Sequence, residues 1–169
     1  METFYHGSSR LFEHFSLSHA LEGTGKVKFG YGVYVTSKYD SAKHYAEKYA
    51  TGETFYVYTV EVPEKREDNY IAYKEPVKET IVARAKEALN EEIPETEVKD
   101  GKKFRKYIAK RLTGKADLKG EMAASAFLLG IGVKMIIWPY CWRDPSRGSN
   151  RAILRDSDVR IVKVDSMKR

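Results

Sequence analysis

The residues best suited to hold a flat ligand lie between Phe29 and Ala46, in the run FGYGVYVTSKYDSAKHYA. Gly30 and Gly32 flank Tyr31, and a glycine lets the backbone bend tightly or lets a ligand come close to it. Val33-Tyr34-Val35-Thr36 is a short run of β-prone residues. Asp40 or Ser41 is placed to cap a helix in which Ala42, Tyr45, Ala46 and Tyr49 share one face. Tyr34 and Tyr45 then meet at a strand-to-helix corner, where two aromatic rings can hold a flat ring between them. The plainer alternative is a glycine-flanked strand followed by an ordinary amphipathic helix.

Three further pieces could join this corner. Tyr5-His6-Gly7-Ser8 ends a first strand, and Gly7 leaves the backbone beside it open to a planar amide. Asn150 stands just before a closing strand. The loop over residues 142–148 carries Trp142, Arg143 and Arg147 next to it. Together the four pieces describe a pocket for a flat polar ring with a histidine that binds a hydroxyl. Spacing alone leaves the reaction open.

The elements that must position these residues follow from local patterning. Residues 3–6 read as a strand, residues 16–28 as a loop containing Gly23 and Gly25, and residues 54–62 as the clearest strand, rich in β-branched and aromatic residues and stopped by Pro63. Residues 64–75 read as irregular, anchored by Tyr70, Ile71 and Tyr73. Val77, Ile81, Ala85, Ala88 and Leu89 recur at helical spacing after Pro76. Phe104, Tyr107, Ile108 and Leu112 predict a second helix ending near Gly114, and residues 118–129 a third, ended by Gly130 and Gly132. A buried strand follows over residues 134–138, and residues 151–155 and 159–164 read as two closing strands about a turn at 156–158. Strands at both ends and helices in the middle give an α+β class rather than alternating βαβ units. Residues 1–169 form a single domain with a helical insertion at about 76–118.

Composition narrows the function classes. Hydrophobic content of 42% and charged content of 32% suit a soluble globular protein. No apolar run is long enough to span a membrane, and no signal segment opens the chain, so a cytoplasmic protein is expected. The single Cys141 agrees with a reducing compartment. His6, His14, His19 and His44 lack metal-ligand spacing, so no metal is expected. A formal net charge of +6, concentrated around residues 99–119 and in the tail from Arg143, permits an acidic protein, nucleotide or nucleic-acid partner. A monomer is the default expectation.

The order of the pieces resembles the ADP-ribosyltransferase superfamily, in its diphtheria-toxin-like and poly(ADP-ribose)-polymerase-like branch with a His, Tyr, Glu triad. His6-Gly7-Ser8 looks like the first motif, and Gly30-Tyr31-Gly32-Val33-Tyr34-Val35-Thr36 looks like the second. The run from Ser41 to Tyr45, with its spacing from Tyr34, resembles the helix that follows. Residues 124–139, 150–154 and 159–161 resemble ART-like domains of phage and mobile-element polyvalent proteins. The resemblance covers about residues 3–62 and 120–164 and leaves the helical middle unmatched.

The resemblance implies a split β-sheet core and NAD as co-substrate. Nicotinamide would lie between Tyr34 and Tyr45, lined also by Ser8, Tyr31, Thr36 and Ala42, with its amide on the Gly7 backbone. His6 would hold the adenosine ribose, and Trp142, Arg143 and Arg147 would form the acceptor loop. Cleavage of the glycosidic bond would pass ADP-ribose to a protein or nucleic-acid acceptor, or to water, as in toxin-like mono-ADP-ribosyltransferases. The third-motif glutamate falls on Asn150, which hydrogen-bonds a hydroxyl but brings no negative charge to an oxocarbenium transition state. Glu121 and Asp144 are the other carboxylates that could approach. The alternative is a binding module that keeps the fold without turnover.

Overall fold

β-branched and aromatic residues alternate along the strands, and the glycines and prolines between them set where each strand stops. In the computed structural model, which describes residues 1–20 and 28–169, seven strands form one mixed sheet. They are β1 (Glu2–Ser8), β2 (Val33–Thr36), β3 (Thr54–Val62), β4 (Tyr70–Ala72), β5 (Met135–Pro139), β6 (Ser149–Ile153) and β7 (Arg160–Lys168). Their order is β4-β5-β6-β2-β1-β3-β7. All neighbours are antiparallel except β4 and β5. That parallel pair spans the helices α3 (Glu79–Leu89), α4 (Gly101–Thr113) and α5 (Leu118–Gly130). The chain also forms one turn of helix, α1 (Leu17–Ala20), and α2 (Tyr39–Lys48). This is an α+β architecture, as composition and order predict. Of the loop expected over residues 16–28, residues 17–20 instead form α1, and Gly23, Gly25 and the His19 side chain lie outside the described residues.

Three other local expectations differ from the structure. The stretch read as irregular holds β4, a three-residue edge strand pairing Tyr70 to Met135 and Ala72 to Ile137. Helix α2 starts two or three residues earlier than an Asp40 or Ser41 cap would set, with Lys38 at its N-cap and no side-chain cap bond. The two closing strands do not pair with each other. β6 sits between β5 and β2, while β7 lies at the far edge against β3.

Side-chain alternation and the pairing register divide the sheet into two faces. Tyr5, Gly7, Tyr34, Thr36, Trp138, Asn150 and Ala152 share the face covered by the helices. An apolar cluster there includes Ile81, Phe104, Ile108, Leu128, Ile136 and Ala152, all almost fully buried. The opposite face buries Phe4, Val33, Val35, Tyr58, Val60 and Ile153 beneath Phe12, Phe15 and Leu17. In the short β2, Val33 and Val35 are buried on that opposite face while Tyr34 and Thr36 on the helix-covered face are half-buried. Among the described residues no helix is long and apolar enough to cross a membrane.

Candidate functional site

The centre of the sheet is where β1, β2 and β6 lie side by side. β1 pairs with β3 along its whole length, from Glu2 opposite Val62 to Ser8 opposite Tyr56. Against β2 it has a single register pair, Tyr5 with Thr36. Beyond that pair, the end of β1 at His6, Gly7 and Ser8 has no ladder partner in β2, and Tyr34 stands across the gap from Gly7 in register.

His6 spans the gap. Its Nδ1 lies 2.6 Å from the Tyr34 carbonyl oxygen, a bond in which the ring nitrogen must donate. Nδ1 therefore carries the hydrogen, and Nε2 of the neutral ring is left as an acceptor. Burial lowers the His6 pKa below its ordinary value, with the bond to Tyr34 acting against that shift. Phe15 packs edge-on against the imidazole at 4.9 Å, and Tyr58 lies 6.3 Å away. A neutral imidazole with a free Nε2 is the form that accepts a hydrogen from a hydroxyl. Its side chain is on the face opposite Tyr34 and Asn150.

Gly7 is positioned by close packing. A Cβ built there would lie 2.0 Å from the carbonyl oxygen of Ala42 and 3.0 Å from the Ala46 Cβ, so α2 crosses directly over the bare Cα. Ala42 and Ala46 are the buried residues of α2, and their small side chains permit this approach. Ser8 accepts from the Arg10 amide at 3.1 Å, turning the chain out of β1.

Tyr34 is anchored through its hydroxyl, which donates to the Gly30 carbonyl (2.8 Å) and accepts from the Phe29 amide (2.9 Å). Burial pushes its pKa up to about 12, so the phenol stays protonated. Gly30 makes this turn possible: its φ is +113°, a conformation that disfavours other residues. Tyr31 is tied to α5 by a 2.7 Å bond from Ser125 Oγ to its carbonyl. The Tyr34 ring meets Trp138 edge-on at 5.5 Å, and Trp138 stacks on Phe29 at 4.0 Å. Tyr45 is 44% exposed and tilts against Tyr49 at 4.7 Å. The two rings of the expected sandwich thus each have another aromatic neighbour.

Asn150 faces Thr36 across β2 and Trp138 across β5. The network fixes its amide orientation: the nitrogen donates to Thr36 Oγ1 (2.8 Å) and to the Ser149 carbonyl (3.2 Å), and the oxygen accepts from Trp138 Nε1 (3.3 Å). Thr36 Oγ1 also accepts from the Lys38 amide at 3.2 Å. Neither alternative carboxylate is available to supply charge here. Glu121 is buried against Arg105, with Oε2 2.8 Å from Nε, and Asp144 accepts from the amide and hydroxyl of Ser146. Burial pushes the Glu121 carboxyl up from its ordinary value, and the guanidinium beside it opposes that. Among the described residues no three His, Cys, Asp or Glu side chains group as metal ligands.

The loop after β5 is polar and turned outward. Trp142 is 44% exposed and Arg143 and Arg147 are exposed, with the Arg147 guanidinium 5.4 Å from the Tyr140 ring. Trp142 tilts against Tyr73 at 5.9 Å. Sequence patterning gives no sign of the Trp138 bond to Asn150 or of the Arg105–Glu121 pair, because both join segments far apart in the chain. The only sequence-level trace of the pair is Glu121, a carboxylate in a helix of mostly apolar and small residues. Comparison of the chain with protein-family models, curated proteins and solved structures gave no match.

Proposed function

We propose that the protein binds NAD at the gap between β1 and β2 and cleaves its nicotinamide glycosidic bond, transferring ADP-ribose to a macromolecular acceptor. The observation that carries this reading is the adjacency of three motif positions. His6, Tyr34 and Asn150 are distant in sequence, yet they occupy β1, β2 and β6, three neighbouring strands. The gap beside Gly7 supports it, since Gly7 and Tyr34 face one another there without a β1–β2 register pair, and a planar amide needs backbone donors and acceptors within reach. The His6 tautomer supports it too: Nε2 is the acceptor a ribose hydroxyl requires. On this reading catalysis is positioning and electrostatics, with Asn150 orienting a ribose hydroxyl and no carboxylate stabilising the oxocarbenium charge.

A second reading is favoured by Asn150 itself, whose amide is already satisfied by Thr36, Ser149 and Trp138. Here the fold binds an NAD-like ligand and turns nothing over.

Nicotinamide release from NAD tests the first reading. His6→Asn keeps a donor for the Tyr34 carbonyl and removes the Nε2 acceptor, so release should fall about tenfold or more. No release by the wild type, or equal release by the variant, sinks the enzyme reading. A rise in melting temperature with millimolar NAD and no release would then select the binding module.

A further inference from the structure

A basic, aromatic-lined cleft opens between the start of α4, the turn after β4 and the chain around Lys28. It has two adjoining lobes of about 390 and 230 Å³ that share Lys28, Tyr73 and Lys102. Lys106 lines the first lobe, and Lys74 and Trp142 line the second. The larger lobe is of the size usual for ligand sites. Its one carboxylate, Glu121, is already neutralised by Arg105 at 2.8 Å. Among the described residues, no carboxylate stands within ion-pair reach of Lys28, Lys74, Lys102 or Lys106. Four lysines therefore line the cleft with no ion-pair partner among the described residues.

One exposed ring lines the cleft, and a second stands two residues back along the chain with its own basic neighbours. Trp142 is 44% exposed with the Lys74 ammonium 4.4 Å from its ring. Tyr140, two residues back, is 40% exposed with Lys38 at 4.9 Å and Arg147 at 5.4 Å. The positive charge also runs on beyond the cleft. Lys102, Lys106 and Lys110 recur every fourth residue of α4, which places them on one face about 6 Å apart along the axis. That step is comparable to the spacing of successive phosphates along a nucleic-acid strand.

We propose that this cleft and its rim bind single-stranded nucleic acid, with bases stacked on Trp142 and Tyr140 and phosphates on the α4 lysines and Lys74. Charge alone would suit any polyanion. The exposed rings select for unpaired bases, because every base presents a π-face and a duplex hides it. An acidic peptide would satisfy the lysines and leave both rings unused. Binding needs neither NAD nor turnover, so it stands whether or not the chain is a transferase.

Fluorescence anisotropy of a labelled twelve-nucleotide oligothymidylate with the full chain tests the proposal. Binding should weaken steeply with added salt. Trp142→Ala should weaken it about tenfold, and Trp142→Phe should retain most of it. Lys102→Glu with Lys106→Glu should abolish binding, whereas Lys163→Glu with Lys168→Glu, the same charge change at the far sheet edge on β7, should reduce it only a few-fold. Circular dichroism confirms that each variant is folded. Absence of binding at low salt overturns the proposal, as does equal loss in the two lysine pairs. Equal competition by duplex of the same length, or by polyglutamate, overturns the single-strand selectivity. Displacement by millimolar NAD would assign the cleft to the dinucleotide instead.

Discussion

The imidazole Nδ1 of His6 lies 2.6 Å from the carbonyl oxygen of Tyr34, and the bond closes the sheet where its ladder fails. A side chain there does what a backbone amide does elsewhere in β1. The bond ties a titratable group to the joint between the two halves of the sheet.

Stability should therefore depend on pH through His6. Burial holds its pKa below the ordinary 6.5 in the folded chain. Below that pH the unfolded chain binds a proton the folded one resists, so stability rises with pH there. The His6 contribution is fully present above about 6.5 and is lost as pH falls through the depressed folded value, by at most about 1.4 kcal/mol per pH unit. Urea midpoints between pH 7.5 and 5.0 should fall more steeply for the wild type than for His6→Asn. Parallel slopes would show that the ring does not titrate with folding.

Gly7 should tolerate no side chain. Its Cβ would stand 2.0 Å from the Ala42 carbonyl oxygen, and backbone cannot swing aside as a side-chain tip can. Gly7→Ala must push α2 off the sheet, at a cost of about 1–3 kcal/mol or more. Gly52→Ala is the control, since nothing lies within 4 Å of its Cβ position, and it should be close to neutral. Chemical denaturation of the two variants reads the difference, and similar losses would mean that α2 is not packed as described.

The Arg105–Glu121 pair should be costly to break and cheap to replace. Both side chains are almost fully buried, Arg105 Nη1 has no hydrogen-bond partner, and Nη2 donates to the Lys28 carbonyl at 3.3 Å. Glu121→Ala leaves an uncompensated guanidinium and should destabilise by about 3–5 kcal/mol. Arg105→Met with Glu121→Leu removes both charges and should recover most of that loss. A double variant as unstable as the sum of the singles would place the cost in lost packing instead.

How much of this was legible in the sequence depended on whether the signal was local. Thr54–Val62 announced itself by composition and by Pro63, and Gly114 marked the end of α4 in a left-handed cap. β4 did not, because a three-residue edge strand is defined by its neighbour β5 rather than by its own pattern. For the same reason two consecutive strands looked like a closing pair, when the sheet order separates β6 from β7 by three strands. The motif glycines and His6 were visible as types. Their arrangement across a gap depended on the β1–β2 register, which no short window encodes. The basic cleft was hidden more completely, since Lys28, Lys74 and Lys102 belong to three separate segments.

Asn150 should accept a carboxylate. Both of its side-chain partners can donate: Trp138 through Nε1, and Thr36 through a hydroxyl whose oxygen already accepts from the Lys38 amide. Turning the Thr36 O–H toward residue 150 would satisfy both donors, and the Ser149 carbonyl, which loses its bond from the amide, still accepts from the Ser37 amide at 2.9 Å, so Asn150→Asp should cost about 1 kcal/mol. Asn150→Glu, one methylene longer, carries the charge further into the gap beside Tyr34. If an oxocarbenium ion forms there, the added charge should raise nicotinamide release by about tenfold or more. Thr36→Val removes one partner and should make the Asp variant markedly less stable than the same change in the wild type. Unchanged release in Asn150→Glu, with the fold intact, would mean that residue 150 does not face the bond being broken.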